Sequence, residues 1–199
     1  MARMYPERIP ESVRGDPRRA AERDVYECLA DNLDDSYTAF CWTAWVARGR
    51  DGARDGEADF VVAHPDQGAL VLEVKGGGIE YDATRHAWTS IDRHGVRHEI
   101  PDPFEQSRKN HYLLRDKLRE QPTGRGRSFS LAYGVAFPDV ARPREDLGLE
   151  APREILLCRE DLNWLGDRAP RIFDYWRGSN PNWQVPGKEG IERLQGLLA

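Results

Sequence analysis

Cysteine is scarce: Cys28, Cys41 and Cys158 are the only three, isolated in the chain and odd in number. None forms a CxxC pair, so free, buried thiols are expected rather than a thiolate metal centre or a disulfide framework. No apolar run approaches the roughly 18–20 residues that a bilayer-spanning helix needs, and the N-terminus lacks a signal-peptide core. A cytoplasmic protein without membrane contact is expected. There is no internal repeat, low-complexity tract or nucleotide-binding loop, so any motor activity would have to come from elsewhere. An excess of positive charge is also missing. The net charge of −5 argues against non-specific nucleic-acid binding by the whole surface, although a local basic path depends on where the charges sit. What remains is a 199-residue chain, 39% hydrophobic and 32% charged, which fits one domain with a sizeable core.

The most informative stretch is GEADFVVAHPDQGALVLEVKGGG, residues 56–78. DFVVA and ALVLEV have the valine-, leucine- and phenylalanine-rich composition of buried strands, and HPDQG between them has turn chemistry. The stretch therefore reads as a β-hairpin pivoting near Asp66. That pivot sets Asp59 opposite Glu73 and Glu57 opposite Lys75. Regular alternation of side chains would gather all four on one face, three carboxylates with one ammonium.

Such a face needs compensation. At an effective dielectric near 20, two carboxylates roughly 4 Å apart repel by about 4 kcal/mol before screening. Lys75 supplies one positive charge, and a divalent cation between Asp59 and Glu73 would supply the rest. Mg²⁺ is the natural choice because it takes hard oxygen ligands and uses one or two carboxylates while keeping several waters. A solvated ion-pair cluster at a sheet edge fits the same residues.

Two helices flank this hairpin. In AERDVYECLADNL, Glu22, Val25, Tyr26, Leu29 and Leu33 share one helical face, which puts the Glu22 carboxylate on an inward stripe where it needs a partner. Glu27 lies about 140° further round and is expected to be exposed. In the second helix Asp102 suits the N-cap and Pro103 the first turn, while Phe104, His111, Leu114 and Leu118 form a seam. Gln106 is about 200° from Phe104 and outside the start of that seam. Arg108, Lys109, Arg115, Lys117 and Arg119 also lie on this helix, with Arg125 and Arg127 in the loop after it. As a group beside an acidic site they point to phosphate contacts. Taken singly, each also fits a solvated helix face. His86, His94 and His98 are close in sequence but lack cysteine partners or an acidic helical HxxxH, and read as surface-loop residues.

Asp59, thirteen residues, then Glu73-Val74-Lys75 resembles the D…ExK signature of the PD-(D/E)XK nuclease superfamily. The surrounding text, with AERDVYECL at 21–29, the Trp88 region and DPFEQ at 102–106 in order, looks like the nuclease-related domain, NERD, over roughly residues 20–120. The resemblance implies an αβββαβ core, a restriction-endonuclease-like mixed sheet flanked by helices. It implies a Mg²⁺ ion, with Mn²⁺ as a substitute, held by Asp59, Glu73 and the Val74 carbonyl, and by Glu22 toward a second ion or a metal water. Lys75 and Gln106 complete the catalytic set that it implies, and Arg108, Lys109, Arg115 and Lys117 are the expected nucleic-acid contacts. The implied activity is hydrolysis of DNA phosphodiesters, with a helicase in the same or a separate chain as partner. A non-catalytic nucleic-acid- or helicase-binding module on the same fold is the alternative.

The rest reads coarsely. YTAFCWTAWVA at 37–47 is a first strand, GRDGARDG at 49–56 a polar loop, and Ala87-Trp88-Thr89 part of another strand. LAYGVAF at 131–137 and EILLC at 154–158 are buried strands, and GIERLQGLLA is a final helix. Together these make a mixed α/β fold: a tail at 1–19, then one domain at 20–199, with its core at about 20–158 and a helical extension at 159–199.

Overall fold

The computed structural model of the protein describes residues 1–49, 52–120, 128–143, 147 and 151–199. Among these, Arg3–Tyr5 forms β1, Glu11–Arg14 a single helical turn, α1, and Ala20–Asn32 helix α2. Thr38–Gly49 (β2), Gly52–His64 (β3) and Gly68–Val74 (β4) then run as an antiparallel meander. Gly78–Asp82 (β5), Ala87–Ile91 (β6) and Arg97–Ile100 (β7) build a separate three-stranded antiparallel sheet. Helix α3, Pro103–Glu120, leads to β8, Leu131–Phe137, which lies parallel to β4. The chain continues through β9 (Leu156–Cys158), α4 (Arg159–Leu162), α5 (Leu165–Ser179) and α6 (Gly187–Leu198).

The main sheet has the order β1-β2-β3-β4-β8-β9, with parallel pairs at both edges and antiparallel pairs between them. The succession α2-β2-β3-β4-α3-β8 is the expected αβββαβ core, and the fold is mixed α/β. Each sheet face has its own core. Val25 and Leu29 of α2 and Ile172 and Phe173 of α5 join Phe60, Val62, Leu70 and Leu72 on one side. Leu113, Leu114 and Leu118 of α3 and Leu194 of α6 join Val61, Ala63, Ala69 and Val71 on the other. This double cover explains why β4, GALVLEV, is buried at every position and reads as a continuous apolar run.

Three expectations need correction. Gly52–Gly56 is not a loop but the first part of β3, paired with the far end of β2; its polar residues read as loop because that arm is exposed. The segment expected as a tail carries β1, which pairs in parallel with β2 from Arg3–Thr38 to Tyr5–Phe40. A three-residue strand is too short to leave a periodic signal. The region around Trp88 holds three strands rather than one; Trp88 itself is buried against Phe104 and Phe137, so the small sheet is pinned to the main core by that ring. Arg125 and Arg127 lie outside the described residues. Cys41 and Cys158 are buried free thiols and Cys28 is half-buried.

Candidate active site

The β3–β4 hairpin has the expected register. His64 pairs with Gly68 and Phe60 with Leu72, which centres the turn on Asp66 and brings Asp59 beside Glu73 at the open end. The backbone N–H of Val74 donates to Asp59 Oδ2 at 2.7 Å, and Lys75 Nζ donates to Glu73 Oε1 at 2.6 Å. The Lys75 amide in turn donates to Ala136 O of β8 at 3.0 Å. Two acids and the lysine are thus held by strands buried on both sides. Glu73 is itself buried, which a charged group tolerates only with a partner as close as Lys75.

The third carboxylate of the cluster is Glu22, not Glu57. The expected shared face of Glu57 and Asp59 assumed unbroken alternation. Burial shifts phase here: Ala58 packs with Val61 and Ala63 on the α3 side, whereas Phe60 packs on the α2 side. The cause lies across the ladder. Cys41–Phe60 and Thr43–Ala58 are paired, and Trp42 between them has a left-handed φ of 54°, which is costly for a bulky side chain. Glu57 is left exposed, and Lys75 pairs with Glu73 instead of Glu57.

Trp42 is bound to the site from the β2 side. Its indole Nε1 donates to Glu22 Oε2 at 2.5 Å, its ring stacks on Tyr26 at 5.4 Å, and the Arg19 guanidinium lies over it at 5.8 Å. Arg19 also forms an ion pair with Glu22 at 2.7 Å. Glu22 is therefore on the inward stripe of α2, as its spacing predicts, with Arg19 and Trp42 as its partners; Glu27 is exposed. Neither Arg19 nor Trp42 was singled out by sequence reasoning. Only the position of Trp42 opposite Asp59 could have signalled it, once β2 and β3 were paired along their full length.

Burial, then the neighbouring Glu73 and Glu22 carboxylates, push the Asp59 carboxyl up to about 7 against the pull of the Val74 N–H and Lys75. Negative charge is in excess here, the setting in which a bound cation is favoured. Among the described residues no group of three or more His, Cys, Asp or Glu side chains is arranged to hold a metal. A cation here would rest on Asp59, Glu73 and backbone oxygen, with Glu22 engaged elsewhere. Two carboxylates fit Mg²⁺, which completes its shell with water, and do not fit zinc.

Helix α3 crosses the α3-side face beneath this site. Asp102 Oδ1 caps it, accepting from Phe104 N at 2.8 Å and Glu105 N at 3.1 Å. The fully buried Ser107 hydroxyl lies 3.1 Å from Val71 O and 2.9 Å from Gly134 O, joining the helix to β4 and β8 at once. Gln106, the preceding residue, is half-buried and its Oε1 has no hydrogen-bond partner.

The basic residues of α3 do not make one patch. Arg108 and Arg115 lie within about 20° of each other around the helix, and Lys109 and Lys117 project from the opposite flank. Arg115 pairs with Asp116 at 3.4 Å and sits over the Tyr112 ring, and Lys117 pairs with Glu120 at 3.2 Å. Arg108 and Lys109 are exposed and without an ion-pair partner among the described residues. His86, His94 and His98 are exposed, with His98 facing Asp92 at 3.3 Å.

Comparison with known proteins gives one result. A family model described as a nuclease-related domain matches residues 17–135, which include α2, the hairpin, α3 up to its last turn and most of β8. Comparisons with curated proteins and with solved structures gave no significant match. No helix of the described residues is long and apolar enough to cross a membrane.

Proposed function

Because the chain belongs to the nuclease-related domain (NERD) family, we propose that it hydrolyses phosphodiester bonds in DNA with a divalent cation, Mg²⁺ or Mn²⁺, at Asp59 and Glu73. The observation that supports this reading best is the buried Glu73–Lys75 pair beside an Asp59 whose proton affinity is raised by its neighbours. When bound, the cation would polarise the scissile phosphate and acidify a coordinated water. Asp59, Glu73 and the Val74 carbonyl are the groups that would hold it.

The side chains divide the remaining work. Lys75 is placed to orient the attacking water or to balance charge building on the phosphate oxygens. Glu22, fixed by Arg19 and Trp42, is placed to orient a water at the edge of the site rather than to serve as a main ligand. The free Gln106 Oε1 can accept a proton from that water or from a substrate group. Arg108 and Lys109, unpaired, are better phosphate contacts than Arg115 or Lys117. A helicase, in the same or a separate chain, is the partner proposed for this module in DNA processing or defence.

The test is cleavage of supercoiled, linear duplex and single-stranded DNA with Mg²⁺, Mn²⁺ or EDTA. Metal-dependent cutting by the wild type should fall at least 100-fold in Glu73→Ala and Lys75→Ala, the scale of a lost acid–base or charge-stabilising group. Equal cutting by wild type and both variants would refute the assignment. Retained DNA binding with no cutting on any substrate would favour the non-catalytic module.

A further inference from the structure

A second concavity, of about 450 Å³, lies between the β2–β3 arm and α3. Its walls include Trp45 and Gly56 on the strands and Gln106, Lys109 and Asn110 on the helix. Two buried polar atoms on these walls have no partner: the Trp45 indole Nε1, a donor, and Gln106 Oε1, an acceptor. Trp45 is 5% exposed. Its Nε1 lies only 2.4 Å from where a Cβ on Gly56 would stand, so only glycine at 56 leaves the indole edge turned to this wall. Lys109 adds an unpaired cation, and Asp55 and Glu57 add carboxylates at the rim.

We infer that this pocket receives one unpaired nucleobase of the substrate strand, next to the site of cleavage. A base edge presents an acceptor and a donor side by side, which is what an orphaned indole N–H and an orphaned amide oxygen require. Lys109 is placed for the phosphate of the same nucleotide. Three acceptor groups, Gln106, Asp55 and Glu57, outnumber the donors, so bases with an exocyclic amino group fit better than thymine. A base inside a duplex has this edge occupied, so the strand must be single, frayed or flipped at that nucleotide. Glu57 finds a use here that it lacks beside Lys75.

The inference extends the nuclease reading, from which it takes the presence of DNA, but it is tested without cleavage. In EDTA, ¹⁵N-labelled protein is titrated with dGMP, dAMP, dCMP, TMP and, as a control, 2-deoxyribose 5-phosphate. The Trp45 indole resonance, assigned by its absence in Trp45→Phe, should shift with the three amino-bearing nucleotides and less with TMP. Ala44, exposed on the pocket wall, allows a plug: Ala44→Phe should weaken the titration at least tenfold with the other indole resonances in place. No shift with any nucleotide, an equal shift with the sugar phosphate, or an undiminished shift in Ala44→Phe overturns the pocket assignment. If the wild type cuts no DNA while these titrations succeed, the nuclease reading fails and the base site stands.

Discussion

The Val74 amide and the Asp59 carboxylate are joined across the hairpin by a 2.7 Å hydrogen bond, so the residue between Glu73 and Lys75 fixes the first acid of the signature. That bond stabilises the ionised form of Asp59, yet burial and the Glu73 and Glu22 charges outweigh it.

A stability cost at alkaline pH follows from that balance. Asp59 has its folded pKa raised to about 7 from 3.8, so the folded state binds more protons between those values and loses stability as pH rises through the window. Asp59→Asn keeps an oxygen for the Val74 N–H and removes the charge. In EDTA at pH 8 the variant should be more stable than wild type by roughly 1–3 kcal/mol, and near pH 4 the gap should close. Thermal melts at the two pH values check this, and saturating Mg²⁺ should stabilise the wild type alone.

Trp42 gives a second prediction. Trp42→Phe keeps an aromatic ring against Tyr26 but loses the N–H that holds Glu22. Loss of a hydrogen bond to a charged group predicts destabilisation by about 1.5–3 kcal/mol. Cleavage should fall about tenfold as Glu22 loses its orientation, the size of one lost positioning contact. Urea melts and steady-state cleavage rates measure the two effects separately.

The flanks of α3 should differ in their effect on DNA affinity. Arg108→Ala with Lys109→Ala removes two unpaired cations and should lower the slope of log affinity against log salt by about one to two. Arg115→Ala with Lys117→Ala removes cations already paired with Asp116 and Glu120 and should change the slope by less than half as much. Fluorescence anisotropy over a salt series in EDTA decides between equal and unequal flanks.

His111 makes the fold sensitive to acid. Its Nε2 lies 3.1 Å from Leu131 O, and burial pulls its pKa down to about 4 from 6.5. A base with a depressed folded pKa stays neutral in the fold while the unfolded chain takes up a proton, so stability is lost as pH falls from 6.5 toward 4. At pH 4.5 the loss from this residue should be about 2–3 kcal/mol. His111→Gln should remove most of it, seen as a smaller drop in urea midpoint between pH 7.5 and 4.5.

The hairpin register, the α2 stripe, the Asp102 cap and the order of the core elements were legible because each follows from a local rule: a turn centre, a helical period, a capping preference. The composition of the charge cluster was not. Strict alternation put Glu57 with Asp59, and a left-handed backbone at Trp42, invisible in a strand-like sequence, broke that alternation and let Glu22 take its place. The basic residues of α3 were legible as a count, but which of them are spent on Asp116 and Glu120 depends on side-chain geometry. The arm at Gly52–Gly56 was missed because exposed strands carry polar residues as loops do.

Ser107 has a consequence for engineering the protein. One hydroxyl spans β4 and β8, so the gap between those strands and the height of α3 cannot be changed independently. Gln106 is indexed to the strand that ends in Glu73 and Lys75 as a gear tooth is to its shaft. Swapping β4 or α3 alone into a related scaffold would put the amide out of step with the acids, whereas the two transplanted together carry their own alignment.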